Sequence, residues 1–362
     1  MPVSYSQPSD DTLEVSVFGP GVGESLCVHL GNNTWVIIDS CINPDSKRAA
    51  ALEYLEALGV EPSKNVKLVV ISHWHDDHIR GMGEIVECCV NAQVVISSAL
   101  MHEEFMVLKC LFDEKPLPTG MRSGLVELSK TIEILTPRLK EKSDLHPLIF
   151  AGPFQNLLVE KNITISSLSP SHASVTQAKM DLAGINRELL RNKISLPKPT
   201  ANLNAIALWI ESPVVNILLG ADLEVHSNTQ LGWDAVVKST ARVQGKALVI
   251  KVPHHGSVTG HCKDVWGQMV EENNPISLLT AYNRSGLPLN TDVQRLKKIT
   301  NKLYATTSKK IKPPKRGKVV DAFVSGIVKN REVFLTKMGQ IQLRVESSGK
   351  VEVNLDGAAA KL

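Results

Sequence analysis

Short apolar runs recur along the chain at 13–18, 25–30, 35–39, 66–72, 93–96 and 131–135, and again at 163–168, 205–210, 214–220, 248–253, 276–281 and 340–345. Each is about 4 to 8 residues long and bounded by Gly, Pro, Asn or Asp, which is strand length and short for a helix. Helical spacing lies between some of them. Leu52, Leu55 and Leu58 share one face of a segment that starts from a cap at Asp45 or Ser46 and stops at Gly59, with Pro62 beyond. Further helices are expected near 99–112, 178–192, 264–272 and 291–300. Strand runs that come first in succession and then mix with helices predict an α/β chain of two sheets sandwiched between helices.

Two stretches look added to that plan. Residues 137–201 carry several prolines, two helical patterns and little strand signal, so they read as an insertion or cap on a single domain spanning 1–362. Residues 308–318 hold Lys309, Lys310, Lys312, Lys315, Arg316 and Lys318 around Pro313-Pro314, with no acid. This basic loop is either a solvated surface or a phosphate-contacting patch.

Composition narrows the class. An apolar fraction of 43% and a charged fraction of 21% are globular usage and exclude a collagenous, disordered or coiled-coil chain. No apolar run approaches the ~20 residues that span a bilayer, and residues 1–11 lack the basic and apolar regions of a signal peptide. No membrane partner is expected. Six cysteines without a Cys-x-x-Cys pair indicate neither a disulfide framework nor a cysteine zinc knuckle, so a reducing cytoplasm is the expected compartment. With a net charge of only +3, an acidic partner has to be held by a local basic patch.

The segment that carries chemistry is His73-Trp74-His75-Asp76-Asp77-His78, at the end of the apolar run 66–72. His73, His75, Asp77 and His78 are side chains that bind divalent metals, and they fall where a buried strand hands over to a helix. Residues two apart in an extended turn point the same way, so His73 and His75 can share one ion while Asp77 and His78 turn toward a second. Trp74 is expected to pack beneath this loop. Two later runs complete the pattern. The strand at 214–220 ends in Gly220-Ala221-Asp222, where Asp222 either bridges two cations or caps a helix at Leu223. The strand at 248–253 ends in His254-His255-Gly256-Ser257. Adjacent side chains diverge at a strand end, so one histidine, His255 by preference, is a ligand and the other a hydrogen-bond donor or acid beside the substrate.

This order resembles the metallo-β-lactamase-fold hydrolase superfamily and, within it, the soluble hydrolase domain at the C-terminus of ComEC-type competence proteins. Supporting matches are Gly21-Val22-Gly23-Glu24-Ser25, Trp35 through Asp39, Asn202-Leu203-Asn204, Lys251 through Ser257, Ala281-Tyr282-Asn283 with Pro288, Leu303 through Thr306, and Gly339-Gln340-Ile341. The resemblance implies a metallo-β-lactamase-type αββα four-layer sandwich. It also implies a first ion on His73 and His75, a second on Asp77 and His78, a bridge at Asp222 and a last histidine from His254 or His255. Asp39 becomes an orienting carboxylate behind the ligand histidines. Many members add a further histidine to the first ion; between the first motif and Asp222 this chain offers only His102, His146 and His172. The ComEC-like pattern has Asn at that place, matched by Asn202 or Asn204, which implies a more open first ion.

The expected chemistry is hydrolysis by a hydroxide shared between two divalent ions, zinc first and manganese second, with Asp77, His254 and His255 in the catalytic set. A phosphodiester, and with it nucleic acid as partner, is the substrate class the resemblance implies; Lys309, Lys310, Lys312, Lys315 and Arg316 would supply phosphate contacts. Only four Tyr and seven Phe are present, so base-stacking platforms are scarce. Two alternatives stand beside it. One is hydrolysis of a small ester, thioester, lactone or phosphocholine-type ester under the 137–201 cap. The other is a catalytically weak metal-binding subunit that works with a partner protein of a defence or repair operon.

Overall fold

A computed structural model describes residues 5–100, 119–141, 145–190, 201–307, 317, 319 and 336–362. The first sheet is built from β1 (Leu13–Gly19), β2 (Ser25–His29), β3 (Trp35–Ile38), β4 (Val66–Ile71), β5 (Gln93–Ser97), β6 (Leu148–Ala151), β14 (Gly339–Val345) and β15 (Val351–Gly357), in the order β15-β14-β1-β2-β3-β4-β5-β6. The second holds β7 (Gln155–Glu160), β8 (Ile163–Ser167), β9 (Leu208–Glu211), β10 (Ile217–Leu219), β11 (Val249–Lys251), β12 (Ile276–Leu279), β13 (Leu303–Ala305) and β16 (Ala360–Lys361), in the order β16-β13-β12-β11-β10-β9-β8-β7. Both sheets are mixed. β3 through β6 run parallel in the first, and β10 through β13 run parallel in the second. Their carboxyl ends are where the candidate ligands emerge.

Period-two alternation sorts the apolar residues into layers. Val36, Leu68 and Val70 face Ile217, Leu219 and Val249 between the sheets. Ile37, Val69 and Ile71, one position on, meet helices α1 (Ala50–Ala57), α4 (Met82–Cys88) and α5 (Thr119–Arg138). Trp209, Leu218 and Ile250 meet α7 (Gly232–Lys238), α8 (Lys263–Gln268) and α9 (Asn290–Lys297) on the outside of the second sheet. Strands buried on both faces explain the near-continuous apolar runs. The result is the αββα four-layer sandwich that the motif order implied. The short α2 (Pro62–Asn65) and α3 (Asp76–Ile79) flank β4, and α6 (His172–Leu190) follows β8. Among the described residues, no helix is long and apolar enough to cross a membrane.

Three local expectations are corrected. Residues 131–135, expected as a strand, lie inside α5, whose buried Leu125, Leu128, Thr131 and Leu135 repeat at three and four residues and pack on the first sheet. The first long helix begins at Ala50, not after Asp45 or Ser46. Asn43 Oδ1 accepts from Asp45 N at 3.1 Å and closes a local turn there, while Glu84 Oε2 accepts the Ala49 N–H at 3.0 Å. The 137–201 stretch contains β6, β7 and β8, which are edge and near-edge members of both sheets, so residues 148–167 belong to the sandwich and not to a cap. Of the helix expected at 99–112, only the turn Ser98–Leu100 falls within the described residues. Lys309, Lys310, Lys312, Lys315, Arg316 and Lys318 lie outside them.

One buried histidine of the first sheet predicts acid sensitivity. His29 donates Nδ1–H to the Thr12 carbonyl at 2.8 Å and packs against Trp35, and burial lowers its pKa to about 4. The neutral ring is favoured in the folded state, so the unfolded chain takes up the proton first. This contribution is constant above pH 6.5 and is lost as pH falls from 6.5 toward 4, by about 3 kcal/mol at most. Urea unfolding between pH 7 and 4 is expected to show that slope, and His29→Gln to flatten it.

Candidate metal centre

Five strand ends deliver the site. Asp39 follows β3; Ser72 and His73 follow β4, and α3 carries Asp77 and His78 on its first turn. Asp222 follows β10, His254 and His255 follow β11, and Thr280 and Tyr282 follow β12. Open α/β sheets place ligands outside the carboxyl ends of parallel strands for this reason: the strands stop together and the loops converge. Asp39, Ala221, His254 and His255 all have positive φ (57°, 43°, 48° and 50°), a left-handed conformation that non-glycine residues adopt at a cost. Four such residues stand at the ends of three converging strands.

The side chains meet closely. His78 Nε2 lies 3.3 Å from Asp222 Oδ1 and 3.8 Å from Asp77 Oδ2. His255 Nε2 lies 3.1 Å from Asp77 Oδ2 and 3.5 Å from Asp222 Oδ2. The His73 ring sits 4.2 Å from that of His78 and 4.7 Å from that of His75. His254 points elsewhere: its Nδ1 donates to Glu224 Oε1 at 2.9 Å beside Thr259, and its Nε2 is 3.4 Å from Asn202 Nδ2 and 4.0 Å from Asp222 Oδ2. Tyr282 stacks on His255 at 5.3 Å.

The hydrogen bonds behind the rings fix which nitrogen is free. His78 Nδ1–H donates to Asp39 Oδ2 at 2.8 Å. Ser72 donates its hydroxyl to Asp39 Oδ2 at 2.7 Å, so its oxygen accepts His73 Nδ1–H at 3.0 Å; Asp39 Oδ1 also accepts the Ser72 N–H. Thr280 donates its hydroxyl to Glu24, leaving its oxygen to accept His255 Nδ1–H at 3.1 Å. In all three rings Nε2 is therefore the nitrogen that faces the shared space, where it would offer a lone pair once its proton is displaced by a cation. The buried Nε2 atoms of His73 and His78 and the Oδ1 of Asp222 have no hydrogen-bond partner among the described residues. Imidazole nitrogens and carboxylate oxygens so placed form the donor set a divalent cation satisfies. Glu24, His78, Asp222 and His255 each place a donor atom within 4.8 Å of the others, though Glu24 approaches the Nδ1 side of the two rings.

Electrostatics agree with that crowding. Burial alone would depress His78, but Asp222, Glu24, Asp77 and Asp39 outweigh it and hold the ring well above its ordinary value. Burial is likewise overcome at His255, which Asp222, Asp77 and Glu24 raise to about 9. Asp222 and Asp77 are pushed low in spite of burial, chiefly by the same two histidines. His73 goes the other way, lowered well below its usual value by burial and then by His78 and His75. Burial raises Asp39 against the pull of His78.

The structure thus brings together His73, His75, Asp77, His78, Asp222 and His255, with Asp39 behind them. Asn204 is buried in the turn before β9, and Asn202 reaches His254. His146 and His172 are exposed, away from the cluster, and His102 lies outside the described residues. Glu24, Lys251, Glu224 and Thr280 carry no assignment from sequence. Glu224 was signalled only by its place two residues after Asp222; Glu24 and Lys251 lay inside quoted motifs.

Residues 19–143, which include Glu24, Asp39 and the whole 73–78 cluster, match the family model described as the Metallo-beta-lactamase superfamily. No curated protein matches the sequence. Among solved structures the chain is similar to the metallo-beta-lactamase fold protein YhfI from Bacillus subtilis, with 14% identity over 83% of this chain and 97% of that one at a TM-score of 0.40. It is also similar to Zn(2+)-bound PqqB from Methylobacterium extorquens, with 9% identity, 63% and 59% coverage and a TM-score of 0.31. The flavodiiron protein from Giardia intestinalis follows with 14% identity, 61% and 41% coverage and a TM-score of 0.32.

Proposed function

We propose that this chain, built on the metallo-β-lactamase fold, is a metal-dependent hydrolase of phosphodiesters, with a nucleic-acid strand as the substrate class. The observation that carries the reading is the convergence of His73, His78 and His255, each with Nε2 turned into the shared space, on Asp77 and Asp222. Two divalent ions, zinc first and manganese second, would be held by these residues with His75, and when bound they supply an activated water and a Lewis acid. His254 stands beside the cluster as proton donor to the leaving oxygen, because Glu224 and Thr259 fix its Nδ1 side.

The rim favours an anion. Arg284 approaches Asp76 at 3.5 Å and Arg80 at 4.0 Å, so two guanidinium groups share one carboxylate beside the ligand loop. Both contacts are long compared with the 2.7 Å pair between Arg48 and Glu56, which leaves the guanidinium forks available to phosphate oxygens. The resemblance of the motif order to ComEC-type hydrolase domains and the basic run 308–318 support the same substrate class.

Purified protein loaded with zinc or manganese is expected to cleave bis(p-nitrophenyl) phosphate and at least one of single- or double-stranded DNA, RNA or short oligonucleotides, with activity lost to a chelator. Arg284→Gln is expected to raise KM for the phosphodiester about 3- to 10-fold and to flatten its salt dependence. Cleavage of p-nitrophenyl acetate with every phosphodiester intact would place the chain with the small-ester alternative. A protein that retains no metal would place it with the interaction-subunit alternative.

A further inference from the structure

Lys251 is among the largest fully buried side chains of the protein. Its ammonium pairs with Glu24 Oε1 at 2.5 Å and donates to the Ala221 carbonyl at 3.1 Å. Each of these contacts falls on a segment that delivers a candidate ligand: Lys251 lies four residues before His255, Ala221 directly before Asp222, and Glu24 accepts from Thr280 and takes its own backbone N–H to the Asp77 carbonyl at 2.9 Å. The two Glu24 oxygens lie 3.6 Å from the Nδ1 atoms of His78 and His255, the side of each ring turned away from Asp77 and Asp222.

Stability does not account for such a pair. Taking both charges out of water is costly, and an apolar pair of similar volume in the same place is usually neutral or stabilising. A cost borne at a point touching the segments of four candidate ligands indicates a task at the site. Within the 4.8 Å cluster Glu24 pairs with a lysine of the protein itself, whereas Asp222 faces the candidate ligand histidines.

We infer that the buried Lys251–Glu24 ion pair is a positioning device for the metal centre, which keeps Glu24 out of the coordination sphere and uses it, through Thr280, to hold His255 with its Nε2 presented. This rests on the metal-binding reading above. Lys251 neutralises Glu24 and anchors it; Glu24 holds the Thr280 hydroxyl; Thr280 in turn accepts His255 Nδ1–H. Lys251, Glu24 and Thr280 are positioning residues and touch no substrate.

The test is chelator competition for zinc and the absorption spectrum of the cobalt-substituted protein, read on the full chain alongside thermal melts. Lys251→Met alone leaves a buried carboxylate uncompensated and is expected to melt early. The double variant Glu24→Gln/Lys251→Met removes both charges, and it is expected to melt near the wild type yet bind zinc about 10- to 100-fold more weakly. Thr280→Val leaves the ion pair intact and breaks only the link to His255; a loss of about 10-fold is expected, with a shifted cobalt spectrum. A wild type that binds no zinc overturns the metal centre and this inference together. A wild type that binds zinc, with double and Thr280→Val variants of equal affinity and unchanged spectrum, overturns the inference alone.

Discussion

Replacement of Asp77 by Ala is expected to lower phosphodiester turnover by about three orders of magnitude or more and to remove bound metal, while the fold persists. Asp77 Oδ2 is the oxygen nearest to His255 Nε2, at 3.1 Å, and it also faces His78 Nε2, so its loss takes a donor from the centre of the cluster. The fold tolerates this because the metal-free interior is crowded with carboxylates: Asp39, Asp77, Asp222 and Glu24 are all buried within one cluster. Removing one relieves repulsion as well as an attraction to histidine. The side chain also lies on the first turn of the short α3, outside the three apolar layers. Metal content per chain, turnover and a thermal melt check the claim together; a variant that keeps its metal and its rate would remove Asp77 from the site.

The second large effect comes from behind the ligand loop. Gly124 on α5 is packed so closely against Trp74 that an added methyl would overlap the Trp74 carbonyl oxygen and approach Asp76 N at 3.4 Å. Both obstacles are backbone, so no side chain can swing aside. Gly124→Ala therefore either tilts α5 off the first sheet or displaces the loop that bears His73, His75 and Asp77. Overpacking of this kind costs about 1–3 kcal/mol, and a displacement of about 1 Å in catalytic groups can cost about a hundredfold in rate. Denaturant midpoint and turnover should fall together. Gly267→Ala in α8 is the control: nothing lies within 4 Å of the added methyl, so it should be neutral or stabilising by a few tenths to about 1 kcal/mol.

How far the sequence discloses this molecule depends on the range of the interactions involved. β1 through β5 were legible because strands buried on both faces have few alternatives to an unbroken apolar run, and the 73–78 cluster was legible because its spacing is local. Residues 131–135 misled because Thr131-Ile132-Glu133-Ile134-Leu135 looks like a strand in isolation. The information that makes it a helix lies at Leu128 and Leu125, about one and two turns earlier, where the buried face continues. β6, β7 and β8 were hidden for another reason. Their outward positions are only partly covered, so Gln155–Glu160 alternates weakly and reads as loop. The supporting residues of the site were the least legible. Nothing in the order of the chain says that Lys251 reaches Glu24, or that Thr280 lies between Glu24 and His255, because the contacts to Glu24 join opposite sheets.

The pairing of β1 with β14 joins Leu13 to Val345 in one ladder, with β15 outside it. During synthesis, β1 therefore leaves the ribosome long before its second neighbour exists, and one side of an apolar strand stays unsatisfied through nearly the whole translation of the chain. Ladders closed over so long a separation form slowly and leave sticky edges in the meantime. Production of this protein should thus depend on chaperones that shield nascent β edges far more than the well-packed finished sandwich would suggest.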